Sequence, residues 1–108
     1  MVIKSITILS FLGLMLVGCE EPPNPADDPD YKSRTGKTIY KERCTTCHGG
    51  DGKLGDSGAK DLSVSKIDSA AIANIIENGK NGMPRLGKYI YNDEEMGNTV
   101  QYVKSLRK

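Results

Sequence analysis

The stretch Cys44-Thr45-Thr46-Cys47-His48 decides the fold, because it places two thiols and the only imidazole of the chain within five residues. Residues three and four apart share one face of a helical turn, so Cys44, Cys47 and His48 point the same way. Two thiols on one face can form thioethers with the vinyl groups of a haem while the imidazole binds the iron. The spacing therefore predicts one haem c, attached covalently through Cys44 and Cys47, with His48 as an axial iron ligand.

Three other kinds of site use the same residue types. A redox-active Cys-x-x-Cys pair normally opens a helix after a strand, and no strand is predicted before Cys44. A structural zinc site needs four ligands, whereas Cys44, Cys47 and the single His supply three. A plain disulfide needs only an oxidising compartment, and it stays as an alternative.

A second axial ligand must come from another part of the chain, because there is no second His. Met1 and Met15 fall in the predicted signal, which leaves Met83 and Met96. Met96 lies on the apolar stripe of a predicted helix, where a core position is expected. Met83 follows a predicted helix stop, and Pro84 restricts it to an extended backbone. We therefore predict Met83 as the second iron ligand, with the alternative that it covers the haem edge without bonding iron.

Residues 1–18 are predicted to be a secretory signal. Lys4 precedes an apolar run from Ile6 to Val17, and twelve residues are too few to span a bilayer as a helix. The run ends Leu16-Val17-Gly18-Cys19, which resembles the bacterial lipoprotein signal, in which the Cys is acylated and becomes the new N-terminus. The expectation is export, with lipidation of Cys19 as an anchor to a bacterial membrane, on its periplasmic or outer side.

Residues 19–33 are predicted to be an acidic, proline-rich tether. The sequence of residues 20–33, EEPPNPADDPDYKS, has four prolines and no aliphatic side chain larger than Ala26. Such a stretch is not expected to fold against a core, and its prolines favour extended geometry. At roughly 3 Å per residue it would hold the domain about 30–40 Å from the membrane.

Residues 34–108 are predicted to form one all-α domain. Helices are expected over about Thr35–Cys47, from Asp68 or Ser69 to Asn78, and from Asn92 towards the C-terminus. The start of the last helix has a capping-box-like pair, Asn92 and Glu95. No segment alternates as a strand should. The apolar positions expected on the helix faces are Ile39, Tyr40, Ile72, Ile75, Ile76, Met96, Val100, Val103 and Leu106.

Charge divides the chain into two parts. The net charge is +1, but residues 20–30 hold five acidic and no basic residues, whereas residues 31–108 hold 14 Lys or Arg against 9 Asp or Glu. The second part is therefore at +5 before any cofactor is counted. This excess either only solvates the domain or steers it towards an acidic partner. No basic run is interleaved with aromatic residues, which argues against nucleic acid.

Residues 34–108 resemble the class I cytochromes c of the short bacterial kind. The resemblance rests on Gly36, Tyr40, the sequence CTTCHG, the sequence GKNGMP and residues 102–106. It implies a small cytochrome c fold of three to five helices with long loops around one haem, with His and Met as axial ligands. It also implies that Gly36 or its neighbour packs against Tyr102. The family's Gly-Pro-x-Leu stretch, whose Pro carbonyl accepts from the ligand His, is replaced here by Gly58-Ala59-Lys60-Asp61-Leu62, and an Ala carbonyl would serve equally.

These features together predict a one-electron carrier between membrane redox enzymes rather than an enzyme. Donor and acceptor proteins, the membrane and no small-molecule substrate are the expected partners, with the chain as a monomer. Two rivals stay open. A displaceable Met83 would permit gas binding or weak peroxidase activity, and a permanently docked domain would be a subunit of a larger oxidase or dehydrogenase.

Overall fold

The computed structural model describes residues 18–108, so the predicted signal lies outside the described residues except for Gly18. Four α-helices and three single 3-10 turns make up the regular structure of that part of the chain, and it contains no strand. No helix among these residues is long and apolar enough to cross a membrane. The helices are α1 (Gly36–Arg43), α2 (Thr45–His48), α3 (Ser69–Asn78) and α4 (Asp93–Ser105), and the 3-10 turns are Pro25–Asp27, Asp56–Gly58 and Gly87–Tyr89. The prediction of an all-α fold is confirmed.

Side-chain caps set where the three longer helices begin. Thr35 accepts from the amide of Thr38 at 3.2 Å, and Asp68 accepts from the amide of Ala71 at 2.8 Å. Asn92 accepts from the amide of Glu95 at 2.9 Å. Each cap satisfies an amide that would otherwise have no partner in the first turn. The predicted starts of α3 and α4 are confirmed.

The first predicted helix is divided in two at Cys44, and the prediction of one continuous helix to Cys47 is wrong in this detail. Cys44 has φ −116° and ψ −30°, outside regular helical geometry. The hydroxyl of Thr45 donates to the carbonyl of Lys41 at 2.8 Å, a bond that competes with the helical amide and bends a helix. The amide of His48 still donates to the carbonyl of Cys44 at 2.9 Å, so the turn that carries the predicted site is helical.

Helices α1 and α4 cross at Gly36. A side-chain carbon built there would lie 2.0 Å from the carbonyl oxygen of Asn98 and 2.9 Å from Cβ of Tyr102. The rings of Tyr40 and Tyr102 pack one helical turn further on, with centroids 5.1 Å apart. The contact between Gly36 and Tyr102 implied by the family resemblance is confirmed.

One apolar cluster joins α1, α3 and α4. Its buried members are Tyr40, Cys44, Ile72, Ile76, Val100 and Val103, and the partly buried side chains against it include Leu62, Met83, Leu86, Ile90, Met96 and Leu106. The cluster contains the helix positions that the apolar pattern predicted, except for Ile39, which is buried elsewhere, and Ile75, which is half-buried. Cys44 is the one member that also belongs to the predicted site, so this site borders the core.

Residues 24–33 differ from the expected free tether, because they contact the domain. The side-chain amide of Asn24 donates to the carbonyl of Tyr91 at 3.1 Å, and the rings of Tyr31 and Tyr91 meet edge to face with centroids 6.1 Å apart. The hydroxyl of Ser33 donates to Glu94 at 2.9 Å. This stretch is bound by polar and aromatic contacts, whereas the prediction of a free tether rested on its lack of large aliphatic side chains.

Candidate haem site

The two thiols of the predicted site lie at the junction of α1 and α2. Cys44 is buried and Cys47 is half-buried, and both are free thiols, as thioether formation requires. Burial raises the pKa of Cys44 to about 11, and the neighbouring Cys47 adds to the shift. A redox-active Cys-x-x-Cys pair needs a lowered thiol pKa, so this environment argues against that alternative.

The imidazole of His48 is held in one orientation by the loop that follows. Its Nδ1 lies 3.0 Å from the carbonyl oxygen of Lys60. A carbonyl can only accept, so Nδ1 carries the proton and Nε2 keeps its lone pair for a metal. His48 is also buried, at 9% exposure, which limits the competition of water for Nε2.

Lys60, rather than Ala59, supplies the carbonyl that the resemblance left open. The family stretch Gly-Pro-x-Leu places its Pro two residues before the Leu. Counted back from Leu62, that position is Lys60. The carbonyl of Ala59, which would have served equally, is not the one used, because this chain has one residue more between the Gly and the Leu. The acceptor is a backbone group, so a Lys serves as well as a Pro.

The loop between His48 and Lys60 is held by hydrogen bonds to the carbonyls of two glycines with positive φ. Gly49 has φ +74°, and its carbonyl accepts from the hydroxyl of Tyr40 at 2.6 Å. Gly52 has φ +80° and accepts from the amide of Leu62 at 2.9 Å. A side-chain carbon at Gly52 would lie 2.9 Å from Cβ of Leu62. These contacts fix the path of the loop and therefore the position of the Lys60 carbonyl.

Met83 lies on a tight turn after α3. The amide of Met83 donates to the carbonyl of Lys80 at 2.9 Å, and the amide of Lys80 donates back at 3.2 Å. Asn81 takes a positive φ of 52° inside this turn. Gly79 is required beside it, since a side-chain carbon there would lie 2.6 Å from the carbonyl oxygen of Met83. The side chain of Met83 is half-buried and packs against the apolar cluster that contains Cys44.

The residues present fit a covalently held haem. Cys44 and Met83 belong to one apolar cluster or pack against it, and Cys47 and the buried His48 lie on the helical turn that begins at Cys44. Two thiols, an imidazole with Nε2 free and a thioether suit an apolar macrocycle with iron at its centre. Among the described residues, no three His, Cys, Asp or Glu side chains are grouped so as to hold a metal ion. A bound haem would supply a one-electron ferric and ferrous couple.

A buried carboxylate, which the sequence did not single out as more than a cap, lies at the start of α4. Glu95 is fully buried, and its Oε2 lies 2.8 Å from a terminal guanidinium nitrogen of Arg34. The hydroxyl of Tyr31 also donates to it, as do the backbone amides of Arg34 and Tyr91. Burial raises the pKa of Glu95, but the hydrogen bonds from Arg34, Tyr31 and these amides lower it more, to about 2. The sequence signal for this buried carboxylate was an acidic residue on the core side of α4. Its partners Tyr31 and Arg34 lie about 60 residues earlier in the chain, so local sequence does not connect them with Glu95.

Comparisons with known proteins identify the family. The sequence model of the family described as cytochrome c oxidase, cbb3-type, subunit III, matches residues 32–103. Cytochrome c6 of Gracilaria tenuistipitata var. liui is 37% identical over 73 residues, covering 63% of this chain and 67% of the relative. Cytochrome c-551 of Bacillus subtilis (strain 168) is 33% identical over 89 residues, covering 75% of this chain and 79% of the relative.

A solved structure shares the fold as well. The c-type cytochrome KustC0563 superposes with a TM-score of 0.60 at 28% identity, over 69% of this chain and the whole of that one. The matched stretch of the family model begins just before α1 and ends within α4, so it spans all four helices. The chain belongs to the cytochrome c family of electron-transfer proteins with covalently bound haem.

Proposed function

We propose that this chain is a monohaem, class I type electron carrier, tethered by lipid to a membrane and exchanging single electrons between membrane redox enzymes. One observation carries the proposal. The two thiols and His48 share one turn beside the core, and the Nδ1 bond to Lys60 leaves Nε2 of His48 directed to bind a metal.

Each site residue has a separate task in this proposal. Cys44 and Cys47 hold the haem by thioethers, so the cofactor cannot leave during turnover. His48 and Met83 would be the two protein ligands of the iron. With both ligands bound, the iron would have no open position for a substrate, which suits a carrier rather than an enzyme. A thioether on one side favours ferrous iron and raises the reduction potential relative to two imidazoles.

The apolar side chains around the site are expected to raise the reduction potential of the haem iron further. The side chains of Tyr40, Ile72 and Val100 are at least 95% buried and keep water from this side of the site. Low water access disfavours the extra positive charge of ferric iron. The protein's part in electron transfer is therefore to hold the ligands still and the pocket dry, with no proton moved by a side chain.

Export and lipidation complete the proposal. Residues 1–18 act as a lipoprotein signal and Cys19 carries the acyl chains, which place the haem domain on the periplasmic or outer side of a bacterial membrane. The support is the sequence Leu16-Val17-Gly18-Cys19 and the exposed position of Cys19. The +5 charge of residues 31–108 suits an acidic redox partner.

Haem attachment is the test of this function. Holoprotein made in a host that matures c-type cytochromes should keep its haem through acid-acetone extraction, and its mass should exceed that of the polypeptide by one haem. Cys44→Ala and Cys47→Ala should each weaken or abolish holoprotein. Thr46→Ala is the matched control, because Thr46 is exposed within the same turn, and it should mature normally. A wild-type mass without haem would refute the proposal.

A second candidate is a permanently docked subunit of a larger oxidase. It is favoured by the family model over residues 32–103, whose description names an oxidase subunit. Purification in mild detergent separates the two candidates. A free carrier elutes alone, whereas a subunit co-purifies in fixed ratio with a membrane complex.

A further inference from the structure

Residues 24–33, here called the docked segment, are folded in themselves as well as bound to the domain. Asn24 caps the 3-10 turn Pro25–Asp27 by accepting from the amide of Ala26 at 3.0 Å. A second turn follows, in which the amide of Tyr31 donates to the carbonyl of Asp28 at 2.9 Å. An extended, solvated tether would have neither turn. The segment therefore has a defined path from Asn24 to α1.

The docked segment is bound at the N-terminal end of α4. Tyr31 contributes its ring to Tyr91 and its hydroxyl to the buried carboxylate of Glu95. Without that hydroxyl, the fully buried Glu95 would lose one of its hydrogen-bond donors, and such a loss is costly in a buried site. The segment therefore completes the set of donors around Glu95, and it is not an independent linker.

Docking shortens the free part of the chain between Cys19 and the domain. Residues 19–23 make no hydrogen bond, ion pair or ring contact with the domain, and at about 3.1 Å per residue they span about 15 Å. The chain leaves the domain at Asn24, which is bound to the carbonyl of Tyr91 just before α4. The loop after the haem motif lies at the opposite end of α4, because Gly52 is against Leu106. Thirteen helical residues separate the two ends by about 20 Å.

Charge opposes close contact between the anchored side and a membrane, so the orientation rests on the docked segment and the short free chain alone. Five acidic and no basic residues lie in residues 20–30, on the side where the chain leaves the domain. Bacterial lipid headgroups include anionic ones, which repel these carboxylates at short range. The basic excess of residues 31–108 belongs to the rest of the domain. Charge therefore keeps the anchored side from adsorbing to the headgroups, and an anionic bilayer attracts the basic remainder of the domain, so only the docked segment and the short free chain favour the orientation inferred below.

We infer that the docked segment orients the domain on its anchor, with the N-terminal end of α4 facing a lipid surface at about 15 Å and the loop after the haem motif facing away. This inference rests on the proposed lipidation of Cys19. A long free tether would let the domain rotate, whereas the docked segment makes the domain present one fixed side to its partners.

The first experiment tests docking without any lipid. Amide hydrogen exchange is measured on soluble Cys19→Ser holoprotein, alone and with the double substitution Asn24→Ala and Tyr31→Ala. Protection is expected at the hydrogen-bonded amides of residues 26–28, 30 and 31, with a loss of about tenfold or more in the double variant. Lys32→Gln is the control, because Lys32 is exposed in the same stretch, and it should leave protection unchanged. Unprotected amides in the parent protein overturn docking, even if the double variant fails to mature.

The second experiment tests orientation on lipidated holoprotein in phosphatidylethanolamine and phosphatidylglycerol vesicles that contain a nickel-chelating lipid. A nitroxide is attached through Asp93→Cys, in the first turn of α4, or through Lys53→Cys, in the loop that lies against Leu106 at the other end of α4. Both positions are exposed. Relaxation by the lipid-bound nickel should be greater at position 93 than at position 53. The difference should disappear with Asn24→Ala and Tyr31→Ala. Equal relaxation in the parent protein overturns the orientation.

Failure of the anchor gives a different result from failure of docking. If mass spectrometry finds no acyl chains on Cys19 and the protein does not sediment with vesicles, the anchor and the orientation are both wrong. Hydrogen exchange then still reports whether residues 26–31 are docked. If the protein sediments but its segment exchanges freely, the anchor stands and the inference fails.

Discussion

A side-chain carbon at Gly36 would lie 2.0 Å from the carbonyl oxygen of Asn98, because α1 and α4 cross there with their backbones in contact. The obstacle is backbone, so it cannot rotate away as a side chain could. Gly36→Ala should therefore force the helices apart and lower the free energy of unfolding by about 1–3 kcal/mol or more. Denaturant unfolding of holoprotein measures the change.

Gly97→Ala is the matched control on the same helix. Gly97 is exposed on α4, and a side-chain carbon there meets nothing within 4 Å. Alanine is the better helix former, so this variant should gain about 0.5–1 kcal/mol. Equal losses in Gly36→Ala and Gly97→Ala would show that the crossing is looser than the structure has it.

Glu95 gives the domain a stability that depends on pH. Its pKa is lowered in the folded state to about 2, from 4.5 in an unperturbed carboxyl. A lowered folded-state pKa stabilises the fold above the unfolded value, and this stabilisation is lost as pH falls from about 4.5 through 2. Glu95→Gln should lower the free energy of unfolding by about 2–3 kcal/mol at pH 6. The gap to wild type should narrow as the pH approaches 2.

The control for Glu95 removes the other carboxylate partner of Arg34. Glu42 also pairs with Arg34, at 2.9 Å, but its side chain is 45% exposed. An exposed ion pair contributes little, so Glu42→Gln should change the free energy of unfolding by no more than about 0.5–1 kcal/mol, with the pH profile of wild type. If the free energy of unfolding of Glu95→Gln runs parallel to that of wild type as the pH falls, Glu95 is not the source of the pH-dependent stability.

Local signals in the sequence predicted the helix starts correctly, and the family to which the chain belongs supports the predicted covalently bound haem. Asp68 and Asn92 cap helices through bonds to amides three residues on, and such bonds depend only on nearby sequence. The break at Cys44 was missed, since it depends on the hydroxyl of Thr45 turning back to Lys41. The position of Met83 as an iron ligand stays a prediction.

Contacts between distant parts of the chain could not be predicted from local sequence signals. Tyr31 and Arg34 reach Glu95 across 64 and 61 residues. Composition averaged over residues 20–33 reports prolines and acids, but it cannot report that one tyrosine fits a buried carboxylate. The Lys60 carbonyl was missed for a related reason, because loop register depends on Leu62 docking against Gly52.

Lipidation predicts that Cys19→Ser releases the protein from the membrane fraction. Serine cannot carry the thioether-linked lipid, and the short apolar signal is too small to hold the protein by itself. Cys19 is exposed, so the visible spectrum and the unfolding midpoint should stay the same. Sedimentation of membranes after a salt wash measures the release. Unchanged sedimentation of the Cys19→Ser protein would show that another feature anchors it.

The charge of residues 31–108 predicts that association with an acidic redox partner slows as salt rises. The Debye length falls to about 8 Å at physiological ionic strength, which screens steering between separated charges. Soluble Cys19→Ser holoprotein, reduced and mixed with membranes of the producing organism, gives the rate of oxidation by stopped flow. A neutral small-molecule oxidant is the control and should react at a rate independent of salt. A flat rate with membranes as well would mean that the basic residues only solvate the domain.

Met83→Ala separates a carrier from a ligand-binding protein. Ferric haem with His and Met ligands has a weak charge-transfer band at the red end of the visible spectrum, and the substitution should remove this band. It should also lower the reduction potential, because the thioether favours ferrous iron, and it should open a position for carbon monoxide. Optical spectroscopy and redox titration of purified holoprotein measure all three effects.

Met96→Leu is the control for Met83, since both side chains are half-buried against the same apolar cluster. A swap that conserves volume should cost less than about 1.5 kcal/mol and leave the band and the potential unchanged. If Met96→Leu loses the band while Met83→Ala keeps it, the ligand lies on α4, and the role given to the turn at Lys80 and Met83 is wrong. If wild type already lacks the band and binds carbon monoxide readily, the iron has an open position, and gas binding replaces electron transfer as the better function.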